Sequence, residues 1–384
     1  MKNGIWRAFI IREDGNPIIF NMRVKNHRDL FILNDRESIP IRDIVFKKDS
    51  VNFNMPFFES YFISALQKDG SLKGNWIKGT AGATQRWDFY AYPNQSYRFS
   101  ESGGDAMANI SGKWEMELTR NTTGYTRKAL AELVQKGNRL TGTVITPSGD
   151  YRYLEGIVSG DSLKLSTFDG AHAYMFAGKL LGDRLLKGVF YSGFAGVEEW
   201  VAEKNASALP PEISPTDLKD GYSRLDFSFK DINGNVVSLR DPQFSGKIVV
   251  IQLMGSWCPN CMDETKFLSD YYNKHQKEGI EVIALAYEYS EDFERSQKSL
   301  RKFQKAFDVQ YPMLITGVSV SDSLKTEKSL PQLNKISVYP TTIFIGRDGN
   351  VKSIHTGFYG PGSGEYFEAY KKEFQETIDR LQAE

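Results

Sequence analysis

A tandem all-β half followed by an α/β domain is the fold class predicted by this 384-residue sequence, and three observations predict it. Up to about residue 205, turn residues recur every 8–12 positions or so between short alternating segments, the rhythm of an all-β region. Beyond it, β-like runs alternate with longer amphipathic stretches, the rhythm of an α/β domain. Between the two lies Asn205-Ala-Ser-Ala-Leu-Pro-Pro-Glu-Ile-Ser-Pro, whose prolines suit an extended linker. The reading is residues 1–110 and 111–205 as two β-rich repeats, 206–216 as a linker and 217–384 as the α/β domain.

The β-rich half reads as a duplication. Gly4-Ile5-Trp6 opens one copy and Gly112-Lys113-Trp114 the other. Asp49-Ser50-Val51 matches Asp161-Ser162-Leu163, and Gln85-Arg86-Trp87 matches Glu198-Glu199-Trp200. Between these, Gly70 to Trp76 matches Gly182 to Phe190 with a two-residue insertion. Alternation is clear in the second copy: Leu140, Gly142 and Val144, then Leu163 and Leu165, then Leu186, Gly188 and Phe190. About eight candidate strands per copy predict two antiparallel barrel- or sandwich-like units. The Gly-x-Trp opening is similar to that of lipocalin-like barrels, and each Trp is expected to plug a barrel end. No family is assigned to this half.

The α/β part reads element by element. Phe227 to Leu239 holds Asn233-Gly234 between alternating runs, a hairpin signal. Ile248 to Met254 is a buried strand, and a helix follows from about Asn260 with Phe267, Leu268, Tyr271 and Tyr272 on one face. Ile280 to Tyr287 is the next buried strand, and Phe293, Leu300, Phe303 and Phe307 mark a second helix. A short strand covers Tyr311 to Ile315, and Leu324 to Asn334 is a loop or helix. Strands at Thr341–Ile345 and Val351–Thr356 bracket Arg347-Asp-Gly-Asn, a second hairpin signal. A last helix carries Phe367, Tyr370, Phe374, Ile378 and Leu381.

Composition narrows the function classes. Lys plus Arg and Asp plus Glu are both 48, so neither nucleic acid nor an anionic membrane surface attracts the chain as a whole. The longest apolar run, Ile248 to Met254, falls far short of the roughly 18 residues that span a bilayer. Membrane attachment is therefore expected only through a segment outside this chain. The start of the sequence shows no signal peptide or lipidated Cys, which fits a cytosolic protein or a mature, trimmed form.

The two cysteines, Cys258 and Cys261, stand where a buried strand meets a helix. A thiolate is the attacking species in disulfide exchange, and a helix N-terminus favours negative charge. Cys258 is thus expected to be the exposed nucleophile. Cys261, one turn on and better shielded, is expected to resolve a mixed disulfide. Pro259 suits the first helical turn.

Trp257-Cys-Pro-Asn-Cys261, Glu264 three residues on, and Val338-Tyr-Pro-Thr-Thr342 together resemble the TlpA/ResA-like family of thioredoxin-fold thiol–disulfide oxidoreductases. The hairpin before residue 247 and the insertion around 290–310 are similar as well, and the likeness spans about residues 217–384. It implies a thioredoxin-like fold, a reductase activity and a periplasmic or cell-envelope setting. It implies no cofactor beyond the redox-active Cys258–Cys261 disulfide, and as partners a disulfide-bearing protein substrate and an upstream electron donor. Pro340 is implied to be a cis-proline facing the dithiol, with Trp257, Pro259, Tyr339 and Pro340 meeting substrate. Glu264 is implied to move protons to or from Cys261, which it can meet at i+3 on one helix. The sequence departs from the pattern twice. Gln252 stands where thioredoxins hold a buried Asp, and Lys266 stands where related reductases often have Pro.

Rival readings fare less well. A zinc site needs two further ligands, and His27, His172, His275 and His355 have no metal-ligand spacing. A peroxiredoxin-like peroxidase resembles Pro-x-x-x-Thr-x-x-Cys; Gly255 and Ile251, or Cys258 and Met254, occupy those places here. A binding protein whose β-rich half captures a ligand or partner is the other alternative.

Overall fold

The computed structural model describes residues 1–100 and 104–384. They form two compact units: Met1–Thr146 with Asp150–Pro211, and Glu212–Glu384 with Pro147–Gly149.

The first unit is all β, and both sequence repeats lie in it apart from Pro147–Gly149. Strand alternation points Trp6, Ala8 and Ile10 inward in the first repeat, and Trp114, Met116 and Leu118 in the second. In the second repeat, antiparallel pairing passes from Thr126–Lys136 through Gly112–Arg120, Gly196–Lys204, Leu185–Ser192, Ala173–Leu181, Ser162–Phe168 and Leu154–Ser159 to Arg139–Thr146. That last strand pairs back onto the first, from Leu130↔Ile145 to Lys136↔Arg139, so the sheet closes as a barrel. The first repeat has the same order with one difference. Glu37–Ile41 and Asp43–Lys47 lie at opposite ends of the sheet order, although only Arg42 separates them in sequence. They are two halves of one broken strand, each serving a different neighbour. Pro40, which has no N–H to donate, lies in the first half.

Both interiors are filled by side chains. Phe53, Phe62 and Phe89 stack or meet edge-on in the first, with Phe62 4.5 Å from Phe53 and 4.6 Å from Phe89. Phe176 and Phe190 stack at 4.2 Å in the second. Trp6 and Trp114 are wholly buried, and each donates its indole N–H to the carbonyl four residues back, Lys2 at 2.9 Å and Ile110 at 3.0 Å. The repeated glycine has a steric cause. A Cβ at Gly188 would stand 2.0 Å from the Ala177 carbonyl oxygen, and one at Gly74 2.0 Å from that of Ile63.

The second repeat also completes the core of the first. Phe168 stacks on Phe20 at 4.3 Å and meets Trp76 edge-on at 5.0 Å. Asn34 binds the Phe168 backbone on both sides, donating to its carbonyl at 2.8 Å and accepting from its N–H at 3.1 Å.

The second unit is a mixed sheet with helices. Ile248–Met254 is buried along its whole length. It runs parallel to Ile280–Ala286, which is parallel in turn to Met313–Ile315. On its other side lie antiparallel Thr341–Ile345 and then Val351–Thr356. The hairpin Ser228–Asp231/Val236–Ser238 extends the sheet beside Met313–Ile315. Helices span Pro259–His275, Phe293–Phe307 and Glu365–Ala383, and the segment after Leu324 contains the short helix Lys325–Ser329. Among the described residues no helix is long and apolar enough to cross a membrane.

Candidate functional site

The buried strand Ile248–Met254 ends at Gly255, and the chain turns at once into the helix Pro259–His275. Cys258 is its N-cap and Pro259 its first residue. The Cys261 N–H points at Cys258 Sγ across 3.2 Å, so the sulfur takes one of the orphan donors of the helix start. Cys258 and Cys261 are joined as a disulfide, with Cα atoms 5.2 Å apart. Cys261 is 0% exposed and Cys258 5% exposed. The expectation of an exposed nucleophile is thus corrected: Cys258 is the more open of the pair, but it too is buried. The Tyr339 carbonyl oxygen lies 3.7 Å from its sulfur.

The Tyr339–Pro340 peptide bond is cis. Trp257 is half-buried; its ring stacks on Tyr289 at 5.6 Å and meets Tyr339 edge-on at 5.8 Å. Its indole N–H donates to the Tyr287 carbonyl at 2.8 Å. Gly255 makes this fold-back possible, since a Cβ there would stand 2.1 Å from the Trp257 indole nitrogen. Pro259, expected to meet substrate, is buried.

Glu264 lies one turn on from Cys261, wholly buried on the same helix. Three neutral groups hold its carboxyl. Gln252 Nε2 donates to Oε2 at 2.9 Å. Thr342 Oγ1 and the Tyr370 hydroxyl both donate to Oε1, at 2.6 and 2.8 Å. Gln252 also donates to the Cys261 carbonyl at 3.3 Å and accepts from Thr265 Oγ1 at 3.0 Å. Burial pushes the Glu264 carboxyl above the ordinary carboxylate range, and the donors from Thr342, Tyr370 and Gln252 pull it down without cancelling that rise.

Gln252, which stands where thioredoxins hold a buried Asp, fixes Glu264 through its amide in the fold. Tyr370 lies in the apolar pattern of the last helix, and its hydroxyl is the one signal in the sequence of a second use. No sequence motif marks Glu288. It accepts from the Ser256 N–H at 2.8 Å and from Ser256 Oγ at 2.6 Å, and so anchors the turn just before Cys258. Among the described residues, no cluster of three or more His, Cys, Asp or Glu side chains is placed to hold a metal ion.

The AhpC/TSA family model matches residues 221–354. Thiol-disulfide oxidoreductase ResA of Bacillus thuringiensis subsp. konkukian (strain 97-27) is 29% identical over 134 residues, which cover 35% of this chain and 68% of that protein. Thioredoxin-like protein YneN of Bacillus subtilis (strain 168) is 28% identical over 140 residues, 36% of this chain and 73% of that one. Among solved structures, a thiol-disulfide oxidoreductase from Bacteroides fragilis NCTC 9343 aligns over 40% of this chain and 99% of that one, at 17% identity and a TM-score of 0.31. The C-terminal half of the chain is therefore a thioredoxin-like redox domain, similar to the thiol–disulfide oxidoreductases of the ResA type.

Proposed function

We propose that this chain reduces disulfides in protein substrates through Cys258 and Cys261. The observation that supports this most is a disulfide at a helix N-terminus with a wholly buried carboxyl on the same helix. In the reduced protein, the Cys258 thiolate attacks one sulfur of a substrate disulfide. The substrate S–S bond breaks, its other sulfur leaves as thiolate, and a mixed disulfide forms. Cys261 then loses its proton to Glu264 and attacks Cys258 Sγ. The Cys258–Cys261 bond forms and the second substrate sulfur leaves, so two electrons have passed to the substrate. A dithiol donor upstream returns the protein to its reduced state.

Trp257 and the backbone of Tyr339–Pro340 are assigned to the docking surface; Pro259, being buried, is left out of it. The Tyr339 carbonyl, 3.7 Å from Cys258 Sγ, would guide an extended substrate segment. A cell-envelope setting fits the likeness to ResA, and the division into repeats 1–110 and 111–205, linker 206–216 and domain 217–384 belongs to the same reading.

Reduction of an insulin-type disulfide tests the core of this. Cys258→Ala is expected to lose all activity, and Cys261→Ser to accumulate a covalent mixed disulfide visible on a non-reducing gel. Undiminished turnover by Cys258→Ala would end the reading. Direction is tested separately by equilibrium titration against glutathione. A reductase requires a potential well below the roughly −120 mV of a dedicated oxidant such as DsbA.

A further inference from the structure

Glu264 has two carboxyl oxygens, and the structure treats them differently. Oε2 faces an amide, Gln252 Nε2, at 2.9 Å. The same nitrogen also reaches the Cys261 carbonyl at 3.3 Å. A carbonyl oxygen can only accept, so this contact fixes which end of the Gln252 amide faces Glu264. An amide N–H cannot turn round and accept a proton, so a proton on Oε2 would face a donor. Oε1 instead faces two hydroxyls, Thr342 Oγ1 at 2.6 Å and the Tyr370 O–H at 2.8 Å. A hydroxyl both donates and accepts, so either can reverse when Oε1 gains a proton.

We infer that Tyr370 is a positioning residue for the exchange reaction: with Thr342 it makes Oε1 the oxygen of Glu264 that takes and returns the proton, and its hydrogen bond sets how readily it does so. The inference rests on the reading of Glu264 as the partner of Cys261. It adds a residue from the C-terminal helix, 106 positions away in sequence.

The surroundings of Glu264 leave these donors in control. From the strand Ile248–Met254 it meets Gln252, from Thr341–Ile345 Thr342, and from Glu365–Ala383 Tyr370. Tyr311, just before the strand Met313–Ile315, is a neutral phenol that feels its charge. His355, on Val351–Thr356, also acts on it through charge. The His355 ring meets that of Tyr370 edge-on at 5.0 Å, and its Nδ1 is 3.2 Å from Glu373 Oε1.

Tyr370→Phe removes the hydroxyl and keeps the ring that packs edge-on against Phe358 at 4.8 Å and Phe267 at 5.6 Å. The experiment is the pH profile of mixed-disulfide resolution, with thermal melting as the check on the fold. Loss of a donor to the charged form raises a carboxyl's pKa. The limb that depends on Glu264 is therefore expected to move up by about one pH unit in Tyr370→Phe. Thr342→Val strips the other hydroxyl from the same oxygen; it carries the same expectation and serves if the first variant folds poorly. Glu264→Gln should abolish the limb, and adding Tyr370→Phe to it should change nothing further. A Tyr370→Phe profile that superimposes on the wild type, while Glu264→Gln alters it, overturns the role of Tyr370 alone. A shift that persists in the Glu264→Gln background overturns it too. If Glu264→Gln itself leaves the profile untouched, the assignment of Glu264 fails and takes this one with it.

Discussion

Asp169 in the β-rich unit and Glu264 in the thioredoxin-like unit are buried to the same degree, at 1% and 0% exposure, yet they are held in opposite ways. Burial alone would raise both. Around Asp169, His172 Nδ1 lies 3.4 Å from Oδ2 and Arg152 Nε 3.8 Å, while Oδ1 accepts from the backbone N–H groups of Ala171 at 2.8 Å and His172 at 2.6 Å. Those partners more than offset burial and hold the carboxyl down at about 2. Glu264 has only neutral donors, and burial prevails. The difference shows that the charge of the partners, more than depth, decides whether a buried carboxylate is an anchor or a group able to take a proton. Asp169 belongs to the segment that carries Phe168 into the first barrel, so a permanent charge there serves the packing of the β-rich half.

The largest effect should come from breaking the anchor. Asp169→Asn leaves the buried Arg152 guanidinium without this counterpart and is expected to cost about 3 kcal/mol, read from urea unfolding followed by tryptophan fluorescence. Disulfide exchange should be unaffected. An unchanged midpoint would mean that the cluster is not an anchor.

Acid sharpens the contrast at a smaller scale. A depressed carboxyl contributes stability that is present above its unfolded value and lost as pH falls through the folded one. For Asp169 that amounts to about 2 kcal/mol, lost between about pH 4 and pH 2, and absent in the Asn variant.

Glu264 should behave with the reverse sign, because burial outweighs its three neutral donors. A raised carboxyl gives stability below its unfolded value that is lost as pH rises through the folded one. The wild type should therefore lose melting temperature relative to Glu264→Gln as pH rises above the ordinary carboxylate range. A gap that stays constant or closes with rising pH would remove the contrast.

Much of this was legible in the sequence because it is local. Alternating burial in Gly112–Arg120, the unbroken apolar strand Ile248–Met254, and the meeting of that strand with Pro259–His275 all follow from neighbours a few residues apart. So does the placement of Cys261 and Glu264 one turn apart on a single helix. The break at Arg42 was not legible. Only Arg42 separates its two flanking strands, and only their different partners reveal that one strand has been shared between two neighbours.

By itself the sequence determined the class of each half, the duplication of the first, and the dithiol poised at a helix start, since period, motif spacing and turn residues act over short range. Tertiary structure alone decided what surrounds those features. It brought Phe168 into the core of the other repeat, buried Cys258 beside the Tyr339 carbonyl, and set the Tyr370 hydroxyl on Glu264 across 106 residues. Such contacts are fixed by how sheets and helices pack, and no local pattern encodes which distant side chain will fill a given space.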